Sequence, residues 1–129
     1  MWDDFAEYLL SEAGDNNVKI AEIAVGRFDR IANYLATKDN ITLIKTDIFP
    51  KDETVIKDDI TNPDLDLYRD VDIIYSIRPP SELQPYIVKL AVEIGSQLII
   101  KPLTNEDLNT GRVKMKLKNF KRASFYTLR

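Results

Sequence analysis

The stretch spanning residues 18–25, VKIAEIAV, constrains this chain more than any other. Six of its eight residues are apolar, and only Lys19 and Glu22 interrupt it. A strand with one wet face alternates apolar and polar residues. A nearly continuous apolar run instead needs cover on both faces, and that cover is characteristic of parallel sheets. Gly26 ends the run, and Phe28, Ile31, Ala32, Leu35 and Ala36 then recur at the 3.6-residue helical period. A buried strand passing into an amphipathic helix is the opening of a βαβ unit.

The same alternation continues along the chain. Residues 41–46 read as a second strand, stopped before Asp47-Ile48-Phe49-Pro50, and Val55-Ile56 is a short third candidate. Residues 63–69 fit a helical turn, and residues 71–77 form a fourth strand ended by Arg78-Pro79-Pro80. Leu83, Ile87, Leu90, Ala91 and Ile94 predict a helix over residues 81–95, with Ser81 and Gln84 as a capping box or Pro85 in the first turn. Residues 98–101 read as a fifth strand. Ahead of all this, Trp2, Phe5, Ala6, Leu9 and Leu10 share one helical stripe, and Gly14 is its stop. Near the end, Val113, Met115 and Leu117 alternate with Lys114, Lys116 and Lys118, and residues 123–128 can return as an antiparallel partner. The fold class expected is therefore α/β, a doubly wound and mostly parallel Rossmann-like sheet carrying a C-terminal antiparallel edge hairpin. Residues 1–129 show no linker or repeat and are expected to form one domain.

Composition removes whole classes of chemistry. The chain has neither Cys nor His, so thiolate nucleophiles, disulfides and imidazole bases are excluded. Proton transfer would fall to Asp, Glu, Lys or Tyr. No metal is expected. No run reaches the roughly 20 apolar residues of a membrane span, and the first residues carry acids where a secretory signal carries bases. A cytoplasmic location without membrane association is the expectation. Charge is unevenly distributed: residues 110–129 hold seven of the 18 Lys and Arg and none of the 21 Asp and Glu.

Ligands of open parallel sheets bind beyond the carboxyl ends of the strands, where strand order reverses. The positions that follow each strand are Gly26-Arg27-Phe28, Asp47, Asp58-Asp59, Ser76 to Pro79, and Lys101. Gly26 either lets backbone approach a ligand closely or simply makes a tight turn. Asp47 stands 21 positions after Gly26, the spacing at which a carboxylate accepts both ribose hydroxyls of a nucleotide. The other reading of Asp47 is an Asx turn before Pro50. Glu22, inside the buried strand, needs a donor, water or a proton, so it points into the pocket mouth or makes a structural bond. Arg78 and Lys101, if their strands are neighbours, offer two cations to an anionic substrate or stand as solvated loop charges. Asp58 and Asp59 suit a base or ribose contact, or Asx caps, and as adjacent residues they do not make a simple chelating pair for Mg²⁺. Asp72 begins its strand and is assigned to structure.

The segments AEIAVGRFDRIANYL, LIKTDIFP, VIKDDITNP, IIYSIRPPSELQP and LIIKPLTNED together resemble uncharacterised protein family 0146, a group of small archaeal proteins. That family is similar in outline to Rossmann-like, S-adenosylmethionine-dependent methyltransferases. The resemblance implies that Glu22 and Gly26 take the acid and middle-glycine places of the first methyltransferase motif. It implies that Asp47 takes the place of the ribose-binding acid, and Asp59 that of the acid near the adenine. The implied cofactor-contacting set is Glu22, Gly26, Arg27, Asp47, Asp59 and Ser76. Ala24 and Phe28 replace the first and third glycines, and Ser76-Ile77-Arg78-Pro79-Pro80 only echoes the Asn/Asp-Pro-Pro-aromatic motif of amino methyltransferases.

Two functions follow as expectations. In the first, the chain binds S-adenosylmethionine, the leading cofactor candidate, or a related nucleotide, with Arg78 and Lys101 on an anionic substrate. In the alternative, it is a non-catalytic interaction module of the same fold, whose basic hairpin binds RNA or an acidic protein. Nucleic-acid binding is the less favoured partner, because edge lysines also guard a sheet against aggregation. An NAD-dependent reductase ranks last, with one fingerprint glycine of three.

Overall fold

The computed structural model describes residues 1–102 and 108–129. Seven strands form one sheet in the order β3-β2-β1-β4-β5-β7-β6. They are β1 (Val18–Ile23), β2 (Ile41–Asp47), β3 (Ile56–Lys57), β4 (Ile73–Ile77), β5 (Gln97–Lys101), β6 (Lys116–Phe120) and β7 (Ala123–Leu128). The first five run parallel. Strand β7 is antiparallel to β5, and β6 is antiparallel to β7. The chain winds outward from β1 through β2 to β3, then crosses back to lay β4 on the other side of β1. That reversal leaves a crevice at the carboxyl ends of β1 and β4.

Helices cover both faces, which explains the double-sided apolar character of the central strands. Helices α1 (Trp2–Ala13) and α2 (Arg30–Leu35) pack on one face, where Phe5, Leu9, Ile31 and Leu35 join Ile20, Tyr75 and Phe125 in a buried cluster. Helix α3 (Gln84–Ile94) packs on the other, where Ile87, Leu90 and Ala91 meet Ala21, Ile23, Ile74 and Leu98. Gly14, at φ +67°, ends α1 with its N–H on Leu10 O. Among the described residues, no helix is long and apolar enough to cross a membrane.

Several boundaries move from their expected places, each for a local reason. β1 stops at Ile23 because Ala24 turns into the left-handed region at φ +57°. Helix α2 starts at Arg30, so a loop rather than a helix end follows Gly26 directly. The capping box at Ser81 does not form. A 3-10 turn covers Ser81–Leu83 and Pro85 sits in the first turn of α3. The Gln84 side chain instead donates to Pro79 O (3.2 Å) and accepts from Asn109 N–H (2.6 Å). At the far edge, Val113 and Met115 lie outside the hairpin and pack against the α3-side cluster. Strand β6 begins at Lys116, and Lys121, at φ +53°, makes the tight turn into β7.

Candidate functional site

The crevice predicted by strand order is a cleft of about 580 Å³. Four separated segments line it: Ala24 to Phe28 after β1, Thr46 to Ile48 at the end of β2, Asp58 to Ile60 after β3, and Ile77 with Arg78 after β4. Its floor and walls are largely aliphatic, from Ile23, Ile60, Ile77 and Leu83, with charged groups set around the rim. A concave, mostly apolar site with a few convergent polar groups is what a small organic ligand requires.

Asp47 organises one end. Its Oδ2 accepts the Gly26 N–H at 2.8 Å and its Oδ1 accepts the Phe49 N–H at 2.8 Å. The carboxylate thus clasps the β1 loop and also makes the Asx turn that was the competing reading. The two readings are compatible, because a carboxylate offers about four acceptor sites and these bonds occupy two. Gly26 needs its φ of +60°, a conformation L side chains avoid. Ala24 adopts that region too, so the backbone shape a glycine usually serves persists with a methyl group on it.

The acids after β3 divide their work. Asp58 accepts the Asp64 N–H (3.0 Å), and its Oδ2 lies 2.9 Å from the Tyr68 hydroxyl, which is itself 3.0 Å from Thr46 Oγ1. Burial raises the Tyr68 hydroxyl well above the ordinary tyrosine range, so it stays protonated in this chain of bonds. Asp58 is therefore a brace in the wall of the cleft. Asp59, exposed on the rim, accepts the N–H and hydroxyl of Thr61 at 2.9 and 2.7 Å, and these bonds hold its carboxyl below the usual range. Among the described residues no cluster of three or more acids could hold a metal ion.

Arg78 shapes the opposite end. It sits at φ +53° with its N–H donating to Lys101 O at 2.6 Å. Its guanidinium carbon lies 5.0 Å from the Phe28 ring centre and 5.5 Å from that of Trp2, and the two rings are 4.6 Å apart. Phe28 thus leans against Trp2 of α1 instead of filling the cleft, and the stack presents a cation at the rim. Arg27 is exposed beside it.

Three expected contact residues lie elsewhere. Strand alternation puts Glu22 on the face of Ile20, under α1, where its Oε1 accepts the Tyr75 hydroxyl at 2.6 Å. Its Oε2 finds no partner among the described residues, and burial pushes the carboxyl up to about 8. Ser76 is fully buried and donates to Ile23 O at 2.7 Å, tying β4 to β1 beneath the cleft. Lys101 is buried, paired in register with Ile77, and lies outside the lining; burial and the nearby Arg78 charge lower its ammonium below the ordinary lysine range. Asp72, at the other end of β4, accepts the Lys19 N–H as a structural tie. What sequence reading missed is the bracing set of Thr46, Tyr68 and Tyr75. Only register, Glu22 opposite Tyr75, brings the last of these into view.

This geometry has relatives. A crystal structure of an S-adenosyl-L-methionine methyl transferase from Silicibacter pomeroyi superimposes with a TM-score of 0.66, over 99% of this chain and 91% of that one, at 10% identity. A SAM-dependent methyltransferase from Aquifex aeolicus gives a TM-score of 0.55 over 95% and 87%, at 14% identity. Likeness at such identities shows a shared fold. Sequence relatives are nearer: a UPF0146 protein of Methanothermobacter thermautotrophicus is 41% identical over 126 residues, covering 98% of this chain and 93% of that one. A second, from Methanocaldococcus jannaschii, is 42% identical over 130 residues, covering 93% and 90%. The profile of the uncharacterised protein family (UPF0146) matches residues 2–129. With a methyltransferase-like sheet and relatives matched along nearly their whole length, the chain belongs to the UPF0146 family.

Proposed function

We propose that the cleft beyond β1, β2 and β4 binds a small ligand built on a nucleoside, with S-adenosylmethionine the leading candidate. The observation that carries this is the placement of Asp47. Its carboxylate is fixed by two backbone N–H groups, keeps acceptor capacity, and lines an apolar cleft together with Asp59 and Arg78. A carboxylate so fixed suits a pair of vicinal hydroxyls without further ordering of the side chain. Asp59 stands at the same end for contact with a base. Arg27 and Arg78 supply cations for a carboxylate or phosphate at the other end, each such charge-assisted bond contributing roughly 1.5–3 kcal/mol.

The residues present fit S-adenosylmethionine in this sense: acceptors for the ribose, aliphatic walls for the base, and guanidinium groups for the amino-acid carboxylate. Bound there, that cofactor supplies an activated methyl group. Glu22, Ser76 and Lys101 act from beneath in this reading, Ser76 by joining β4 to β1 and Lys101 by holding the backbone of Arg78.

Titration of isotope-labelled protein with S-adenosylmethionine, S-adenosylhomocysteine, NAD and ATP tests it. The expected result is shifts at Gly26, Asp47 and Asp59 for at least one ligand, lost in Asp47→Ala. A flat response at these positions to all four removes the proposal. A preference for NAD or ATP over the two sulfur compounds replaces the cofactor while keeping the cleft.

A further inference from the structure

The sheet ends on β6, at the opposite edge from β3. From Lys116 to Asn119 every residue is exposed, and the ladder with β7 runs without a bulge from Lys116–Thr127 to Phe120–Ala123. A regular edge strand presents a row of unpaired backbone donors and acceptors, ready to pair with another extended chain. Its side chains divide by face. Lys116 and Lys118 share a face with Phe125 and Thr127, and with Lys114 and Arg129 they line a groove of about 490 Å³ against Tyr8 of α1. Leu117 points to the opposite face beside its cross-strand partner Tyr126, and is 59% exposed. Nearby acids are already engaged. Glu7 accepts from Lys121 and Glu12 accepts from Arg129, while Lys114, Lys116 and Lys118 have no carboxylate within ion-pair distance among the described residues.

We propose that β6 is a docking edge for an extended acidic polypeptide segment, added as an eighth strand with acids at alternate positions facing the lysines. Alternate strand residues are about 6.7 Å apart, so acids spaced by two meet Lys116 and Lys118 in turn, a third acid lies toward Lys114 just ahead of the strand, and an intervening apolar side chain meets Leu117. Lysines on an edge repel a second copy of the same edge. That repulsion closes the strand to self-pairing and leaves it open to a strand of opposite charge. A nucleic acid would use the lysines but neither the open backbone nor Leu117. Pairing of this kind takes affinity from backbone bonds and specificity from alternate side chains. The inference stands apart from the cleft and survives whether or not the cleft binds a nucleoside.

The probe is a labelled heptapeptide, Thr-Glu-Val-Glu-Val-Glu-Thr, compared with its block isomer Glu-Glu-Glu-Val-Val-Thr-Thr and with an oligouridylate of equal charge. The alternating peptide is expected to bind at least about threefold tighter than the block isomer, whose acids cannot all oppose the lysines in turn. It should protect every second amide between residues 116 and 120 from hydrogen exchange. K114E/K116E/K118E should abolish binding, and K114Q/K116Q/K118Q should weaken it while retaining the native amide spectrum. Equal binding of the block isomer, tighter binding of oligouridylate, absence of alternate amide protection, or no binding at all would each overturn the proposal.

Discussion

Glu22 offers a test of the buried frame under the cleft. It is 1% exposed, accepts from no cation among the described residues, and has one oxygen on the Tyr75 hydroxyl and one without a partner among those residues. Burial raises its carboxyl from 4.5 to about 8, partly offset by the Tyr75 bond and by Lys45. The unfolded chain therefore releases this proton near pH 4.5 while the folded chain holds it to about 8. Below pH 4.5 both states are protonated and the group is silent. Between those values stability falls as pH rises, at up to about 1.36 kcal/mol per pH unit, and above 8 the loss levels off. Integrated from pH 5 to pH 9, the loss is about 4 kcal/mol, a large part of the 5–15 kcal/mol that holds a typical domain together. Glu22→Gln keeps the shape and the acceptor for Tyr75 but cannot ionise. Urea unfolding of both proteins from pH 5 to pH 9 isolates the term by subtraction. Near pH 5 the two should agree to within about 1 kcal/mol, and the variant should be the more stable by several kcal/mol at pH 9. A difference that stays flat across this range, or grows in the other direction, refutes the assignment of Glu22 as a buried, protonated carboxyl.

Asp47→Ala removes two charge-assisted bonds to backbone at a half-buried site, and should cost about 2 kcal/mol by chemical denaturation; unchanged stability would mean the clasp contributes nothing. Tyr68→Phe breaks the Thr46–Tyr68–Asp58 chain and should cost about 1–3 kcal/mol, with amide shifts concentrated at residues 58–64. At Arg78 the backbone φ of +53° strains any residue with a Cβ. Arg78→Gly should therefore be more stable than Arg78→Ala by about 1 kcal/mol, and equal stabilities would contradict the left-handed geometry. Both should alter Trp2 fluorescence, since the guanidinium lies over that ring.

Elements and their order were legible because they rest on periodicity. The double-sided apolar run of β1 announced a parallel sheet, and the spacing of 21 residues between Gly26 and Asp47 corresponds to a hydrogen bond between them. What remained hidden was phase. When both faces of a strand are apolar, alternation cannot tell which face a polar residue joins. Glu22 thus read equally well as pocket or core, while Ser76 read only as a cofactor contact, and packing against α1 and α3 puts both in the interior. Side-chain direction at strand ends was hidden for the same reason: Arg78 reaches the rim while Lys101, beside it in the sheet, is buried. The direction of the Phe28 ring, at a usual glycine position, was hidden too. The ring is drawn aside because Trp2, 26 residues earlier, offers it a partner.

The strained backbone around the cleft bears on its character. Ala24 and Arg78 both hold positive φ without being glycine, at the ends of the two strands that flank the topological switch. Each such residue costs on the order of 1–3 kcal/mol, so the surrounding bonds must supply at least that much. At Arg78 the bond to Lys101 O and the stack on Phe28 and Trp2 oppose that cost and hold the guanidinium at the rim. Replacing both, as Ala24→Gly with Arg78→Gly, separates the two effects. The double variant should fold at least as stably as Ala24→Gly with Arg78→Ala, by about 1 kcal/mol, yet lose the ligand-induced shifts at the Arg78 end of the cleft. If those shifts persist at full size in the double variant, the fixed cation has no part in binding, and the strain is only a by-product of how β4 meets β5.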